Sequence, residues 1–285
     1  MQIEHVGIVG AGIMGTGVTE CVAKGGLNVV TKSRSRSTAD AMLAGIEKSL
    51  ARQLDKGKIT PQEQEAVLSR ITVTSDFSDL AGCDIVVESI VEDLEAKRHI
   101  FLELDRVCKE EAVLATNTST LPVVELAMET GRPDRVCGIH FFNPAPVMEL
   151  VEVVKPITAS EETIETAIEL ARACGKNPVV AQDRAGFIVN ALLFPYLNNA
   201  VRMLEQGVAV MEDIDSAMKG GCGFPMGPFT LLDLVGIDTS TAILDALYDE
   251  YRDPNYAAVP LLRRMVAAEL LGRKSGRGFY DYHDH

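Results

Sequence analysis

No stretch of this chain approaches the roughly 18 consecutive apolar residues that a membrane-spanning helix needs, although 47% of its 285 residues are hydrophobic. The apolar content is that of a packed core, and the expectation is a chain with no membrane partner. Cations are scarce. Lys and Arg total 27 against 41 Asp and Glu, for a formal net charge of −14. That balance argues against nucleic acid as a partner. It also makes any local cluster of cations informative, because an anionic ligand must reach it against the overall field. The six cysteines (Cys21, Cys83, Cys108, Cys137, Cys174 and Cys222) are scattered, no C-x-x-C occurs, and no Cys/His spacing suits a metal ion. Free thiols in a reducing cytoplasm are expected, with no metal site. The N-terminus enters an apolar run almost at once, which leaves no room for a secretory or transit segment. No internal repeat or low-complexity segment is found, and the length suits two domains or one large one.

A G-x-G-x-x-G stands at Gly10, Gly12 and Gly15, between the apolar run Val6 to Val9 and a helical stretch from Thr16 to Lys24. Alone the motif is weak, but between a strand and a helix it points to a dinucleotide. Gly10 allows the tight turn, Gly12 lets backbone approach a pyrophosphate on the positive end of the helix, and Gly15 lets helix and strand pack closely. Ile13 and Met14 belong to the same turn.

The next strand, Leu27 to Thr31, ends in a further absence. An NAD site has an acidic residue about 20 positions past the glycines to bond the ribose hydroxyls, yet no Asp or Glu lies between Glu20 and Asp40. Lys32, Ser33, Arg34, Ser35 and Arg36 stand there instead. A carboxylate would repel a 2′-phosphate, whereas guanidinium groups bind phosphate through forked, charge-assisted hydrogen bonds. NADP(H) is therefore the expected cofactor, with NAD(H) the alternative.

Strands and helices alternate through the first half. Helices are expected from Thr38 to Lys56, from Pro61 to Ser69 behind a Thr60 cap, and from Leu94 to Cys108. Strands are expected at Ile71–Thr74, Asp84–Glu88, Ala112–Ala115, Val136–Ile139 and Leu150–Val154. Near Asp183 the character changes to helices, at about Phe187–Glu205, Met211–Lys219, Leu231–Tyr251 and Leu261–Leu270. The first of these is apolar nearly all round and is expected to be buried on several sides. The fold class is α/β: a doubly wound Rossmann-type domain over 1–184 and an all-helical domain over 185–285 that serves substrate binding and dimerisation. The last residues, His283 to His285, read as a solvated tail.

A nicotinamide enzyme needs a proton donor and acceptor beside the reacting carbon, and His titrates near neutrality. Of the five histidines, His5 precedes the glycine loop, His99 sits in an amphipathic helix, and His283 and His285 are in the tail. His140 is different: it follows an apolar strand and opens His-Phe-Phe-Asn-Pro-Ala-Pro, where active residues of such sheets gather.

These segments resemble the L-3-hydroxyacyl-CoA dehydrogenase family over essentially the whole chain. The likeness rests on Val6 to Gly15, Val-Val-Glu-Ser-Ile-Val-Glu-Asp at 86–93, Thr-Asn-Thr-Ser-Thr at 116–120, and His140 to Val153. It continues in Gly-Phe-Ile-Val-Asn at 186–190, Pro-Met-Gly-Pro at 225–228 and Gly-Arg-Lys-Ser-Gly-Arg-Gly-Phe-Tyr at 272–280. The resemblance implies a hydride transfer between a nicotinamide and C3 of a short (S)-3-hydroxyacyl-CoA or 3-oxoacyl-CoA. It assigns His140 as general acid/base, Glu152 as the carboxylate that holds the imidazole, Ser119 on the C3 oxygen, and Asn190 on the second domain, with the reacting centre in an interdomain cleft. Cofactor contacts carry over to Glu92, Lys97, Asn117, Ser119, Asn143 and Lys274. The family's ribose-binding Asp has no counterpart, and Ser33 takes its place. Ser49, Arg52 and Lys56 fall at i, i+3 and i+7 on one helical face, and the family uses the residues matching Ser49 and Lys56 to hold coenzyme A. Two alternatives stand beside this reading: a dehydrogenase of the same fold acting on a sugar acid, a carnitine-like compound or a carrier-bound hydroxyacyl group, and a non-catalytic protein that keeps the fold. A homodimer through the helical domain is expected.

Overall fold

The computed structural model describes residues 2–283. The apolar run before the glycines is β1 (His5–Val9), and α1 (Ile13–Lys24) begins directly after Gly12. After β2 (Asn28–Lys32), α2 (Arg36–Asp55) starts at a reciprocal cap between Ser35 and Thr38. α3 (Pro61–Ser69) starts the same way at Thr60 and Glu63, with Pro61 in the first turn, where its missing N–H costs nothing. There follow β3 (Ile71–Thr74), β4 (Ile85–Glu88), α4 (Leu94–Val107), β5 (Val113–Thr116), α5 (Val123–Ala127), β6 (Val136–Phe141), β7 (Leu150–Lys155), α6 (Glu161–Ala173) and β8 (Asn177–Gln182).

The strands make one sheet in the order β3-β2-β1-β4-β5-β6-β7-β8. All neighbours are parallel except β6 and β7. The order reverses at β1, and ligands of such sheets bind beyond the carboxyl ends of the strands beside that reversal. Val6, Ile8, Ile85, Val87, Val113 and Ala115 are buried there with Val18, Val22, Ile46 and Leu50 of α1 and α2, as a sheet covered by helices requires.

Some boundaries differ from the expectation. β6 runs on through Phe141, so His140 lies inside a strand and not in the loop after one. α6 and β8 occupy a stretch where no element was expected. β8 is an edge strand with exposed Asn177, Val179 and Val180 and with Pro178 inside it; a Pro is tolerated at an edge and hides the strand in the sequence.

The chain divides into two compact units, Met1–Asp183 and Arg184–His285. The second contains α7 (Val189–Glu205), α8 (Met211–Cys222), α9 (Pro228–Val235), α10 (Ile237–Tyr251) and α11 (Pro260–Ala267). Its core gathers Phe194, Leu197, Val201, Phe229, Leu232, Ile237, Leu244, Leu247 and Leu262. The single helix expected over Leu231–Tyr251 is two. Gly236, at φ 106° and ψ 130°, breaks it, in a region of backbone space that side-chain-bearing residues avoid. On α7, Phe194, Leu197, Ala200 and Val201 are buried, while Leu192 is 72% exposed. His283 is no loose tail, since its N–H donates to Asp281 at 3.0 Å and its ring lies against Gly276; Asp284 and His285 fall outside the described residues. No helix among the described residues is long and apolar enough to cross a membrane.

Candidate active site

Gly10, Ser89, Asn117 and His140 stand at the carboxyl ends of four neighbouring strands, β1, β4, β5 and β6. Hydrogen bonds stitch this edge together. The Asn117 side chain donates to Ser89 Oγ at 3.1 Å and accepts from the Phe141 N–H at 2.9 Å.

The glycine turn fits a dinucleotide by its own geometry. A Cβ on Gly10 would lie 2.3 Å from the Ser89 carbonyl oxygen, and one on Gly15 would lie 2.0 Å from that of Gly10, so neither position admits a side chain. A Cβ on Gly12 would meet nothing within 4 Å. α2, α3, α4 and α6 each have a side chain accepting from a first-turn N–H; α1 has none and no acidic residue in its first turn. Its N–H groups are left for an anion. Ile13 is 79% exposed and Met14 half-buried beside this turn.

The cations after β2 are not equivalent. The Lys32 ammonium lies 4.0 Å from the centroid of the Phe77 ring, and burial lowers its pKa against the opposing pull of Asp76. Arg36 pairs with Asp40 at 3.0 Å. Arg34 is exposed and has no ion pair or hydrogen-bonding side-chain partner among the described residues. Ser33 is buried, with its hydroxyl on that of Thr38 and its N–H on the Thr74 carbonyl at 2.8 Å. Of these residues, Arg34 is the one left open to a ligand.

The register of β6 and β7 explains the spacing of His140 and Glu152. They are directly opposed in an antiparallel pair, so their side chains share a face. His140 Nδ1 lies 2.8 Å from Glu152 Oε2, and Ser119 Oγ lies 3.1 Å from Nε2. Glu152 is fully buried and His140 is 5% exposed. Where Nδ1 donates to the carboxylate, Nε2 is left to accept on the Ser119 side.

Ser119 belongs to a turn held by one carboxylate. Glu92 Oε1 accepts from Thr118 Oγ1 at 2.5 Å and from the N–H groups of Ser119 at 2.8 Å and Thr120 at 3.2 Å. Lys97 is fully buried and donates to both oxygens of Glu88 at 2.8 Å. Glu88, itself fully buried, is a residue the sequence reading passed over. A charged residue ending an otherwise apolar strand was the available signal.

The remaining candidates lie elsewhere. Asn143 is exposed after β6, joined to Pro144 by a cis peptide bond. Ser49 is half-buried on α2, its hydroxyl 3.3 Å from the Gln53 amide nitrogen, while Arg52 and Lys56 are exposed. Lys56 is the C-cap of α2 and not a residue of its last turn. In the second unit Asn190 is buried on α7. Lys274 pairs with Asp238 at 2.5 Å, on a segment that folds over buried Asp233; the N–H groups of Phe279 and Tyr280 donate to Asp233 at 2.9 Å.

A family model described as the NAD binding domain of 3-hydroxyacyl-CoA dehydrogenase matches residues 5–184, and one described as its C-terminal domain matches residues 186–282. The chain belongs to the 3-hydroxyacyl-CoA dehydrogenase family. It is 46% identical over 282 residues to a 3-hydroxybutyryl-CoA dehydrogenase of Mycobacterium tuberculosis, covering 98% of this chain and 99% of that one. A 3-hydroxybutyryl-CoA dehydrogenase of Clostridioides difficile is 44% identical over 275 residues, covering 96% of this chain and 98% of the relative. Among solved structures, the (S)-3-hydroxybutyryl-CoA dehydrogenase PaaH1 of Ralstonia eutropha superposes with a TM-score of 0.97 at 41% identity, covering 99% of each chain. The match to an NAD binding domain supports a nicotinamide cofactor.

Proposed function

We propose that this family member interconverts short-chain (S)-3-hydroxyacyl-CoA and 3-oxoacyl-CoA, with 3-hydroxybutyryl-CoA and acetoacetyl-CoA as the pair, and that it uses NADP(H) in preference to NAD(H). The observation that carries the reaction is the hydrogen-bonded series Ser119–His140–Glu152 at the sheet edge that also holds the glycine turn. In the oxidative direction His140 Nε2 takes the proton of the C3 hydroxyl. In reduction it returns that proton to the oxygen formed from the carbonyl. Ser119 bonds the same oxygen, and Glu152 stabilises the imidazolium. When bound, the nicotinamide accepts or supplies the hydride at C3. Asn190 contributes to substrate binding, and Ser49, Arg52 and Lys56 hold the coenzyme A moiety. A homodimer forms through the helical unit, where Leu192, Val208 and Val210 are 57–72% exposed.

Arg34 supports the cofactor preference. It is an exposed guanidinium just past β2 with no ion pair among the described residues, where a carboxylate would otherwise repel a 2′-phosphate. The test is acetoacetyl-CoA reduction by purified protein over concentration series of NADPH and NADH. A much lower KM for NADPH supports both parts of the reading. A strong preference for NADH keeps the reaction and removes the cofactor assignment, and absence of turnover with either overturns the substrate class.

A further inference from the structure

The resemblance makes Glu92 and Lys97 cofactor contacts, but Lys97 is turned inward and the exposed Glu92 is engaged by it and by the 118–120 turn. Lys97 is a fully buried lysine. Two of its contacts go to Glu88 at 2.8 Å, and it forms an ion pair with Glu92 Oε2 at 3.5 Å. Glu88 is saturated in turn, accepting from the Ile90 N–H at 2.6 Å and the Thr116 hydroxyl at 2.7 Å. Burying such a pair is costly and contributes little net stability, so its presence calls for a directional role. The direction is set by Glu92. Its Oε2 faces Lys97 while its Oε1 gathers the donors of Thr118, Ser119 and Thr120.

We propose that Glu92 is a positioning residue: anchored by the buried Lys97–Glu88 pair, it fixes the 118–120 turn so that Ser119 Oγ faces His140 Nε2. Glu88 is tied to β5 through Thr116, and the same strand continues into the turn. The anchor and the turn it orients are therefore parts of one rigid edge. Lys97 acts on Ser119 through Glu92. This inference rests on the proposed reaction only for its kinetic readout.

The experiment compares wild type with Glu92→Gln, Ser119→Ala and the double variant. An amide has one accepting oxygen, so the side chain introduced by Glu92→Gln cannot serve both Lys97 and the turn, while the Lys97–Glu88 pair stays intact and the fold is retained. The expected result is a fall in kcat of about 10²-fold, as for a misplaced reacting group, with KM for the cofactor unchanged. In the Ser119→Ala background the same change costs less than about threefold, because residues acting through one another are not additive. A KM for the cofactor that rises with kcat preserved, or costs that add in the double variant, overturns the proposal. Amide hydrogen exchange gives a second reading that needs no substrate. The N–H groups of Ser119 and Thr120 are expected to exchange at least about tenfold faster in Glu92→Gln, and unchanged exchange overturns the proposal as well. If wild type does not turn over acetoacetyl-CoA, the proposed function fails, and the exchange measurement still decides the role of Glu92.

Discussion

Replacing Glu152 with Gln keeps the volume of a fully buried side chain and removes its charge. Oε2 lies 2.8 Å from His140 Nδ1, which places the carboxylate and imidazolium charge centres at about 4 Å. At an effective dielectric of about 20 that interaction amounts to about 4 kcal/mol. In the proposed oxidative direction the imidazolium forms as the substrate proton moves, so the loss falls on the transition state and corresponds to about 10³-fold in rate. The amide adds a second effect in the same direction. It can donate as well as accept, and when it donates to Nδ1 the ring proton moves to Nε2, which can then no longer take one from the substrate. The assay is initial-rate oxidation of (S)-3-hydroxybutyryl-CoA with NADP+, alongside cofactor binding followed by fluorescence. Glu152→Gln is expected to lower kcat about 10³-fold while the cofactor Kd stays within about threefold, the pattern of an interaction made only in the transition state. Circular dichroism at the assay temperature checks that the variant is folded. A folded variant that keeps more than about a tenth of wild-type kcat would refute the argument, because the dyad would then contribute under about 1.4 kcal/mol.

Arg34→Ala is expected to raise KM for NADPH about tenfold, the loss of one charge-assisted bond of about 1.5 kcal/mol, with kinetics on NADH unchanged; equal effects on both cofactors refute the assignment. Lys56→Ala is expected to raise KM for acetoacetyl-CoA about fivefold, an exposed pair of about 1 kcal/mol, and to leave a free 3-hydroxy acid unaffected. Asp84 accepts from the N–H groups of Glu4 at 2.8 Å and His5 at 2.9 Å and pairs with Lys109. Burial pushes its carboxyl up, but Lys109 and these N–H groups outweigh it and hold its pKa below the ordinary value. A depressed carboxylate pKa gives stability above the unfolded value of about 3.9 and loses it as pH falls through the folded one. Asp84→Asn should therefore cost about 2 kcal/mol at pH 7 and converge on wild type in strong acid, as read by urea unfolding across pH. Burial pushes the thiols of Cys21 and Cys108 up to about 11 and those of Cys83 and Cys137 up to about 12. Thiol titration at pH 8 should find no cysteine other than exposed Cys222 reacting before the protein unfolds.

The parts of the site that were legible in the sequence depend on short-range rules. Gly10, Gly12 and Gly15 are spaced by the turn they make, and His140 and Glu152 lie on consecutive strands. The capped start of α3 was visible as Thr60 for the same reason, whereas α2 begins at Arg36 behind Ser35, two residues before the expected Thr38. What was not legible depends on strands that are neighbours in space and distant in sequence. Glu92 meets Ser119 across 27 positions because β4 and β5 lie side by side, and no local pattern records that contact. The burial of Ser33 and the engagement of Lys32 by Phe77 are likewise tertiary, so a run of three cations read as one cluster was in fact a single open Arg34. Gly236 was visible, but a helix interior tolerates glycine often enough that its break required the positive φ to be seen.

The antiparallel pairing of β6 and β7 also divides what this protein can vary from what it must keep. His140 and Glu152 meet through the ladder, and the residues from Phe142 to Glu149 connect the two strands, with Lys176 donating to the Ala145 and Met148 carbonyls. Lengthening that connection leaves the ladder in place and the dyad intact. Inserting one residue within β7 before Glu152 turns the carboxylate to the opposite face of the sheet. The connection is thus a region in which the chain can change by insertion, while the His140–Glu152 pair is inherited unchanged with the strand register.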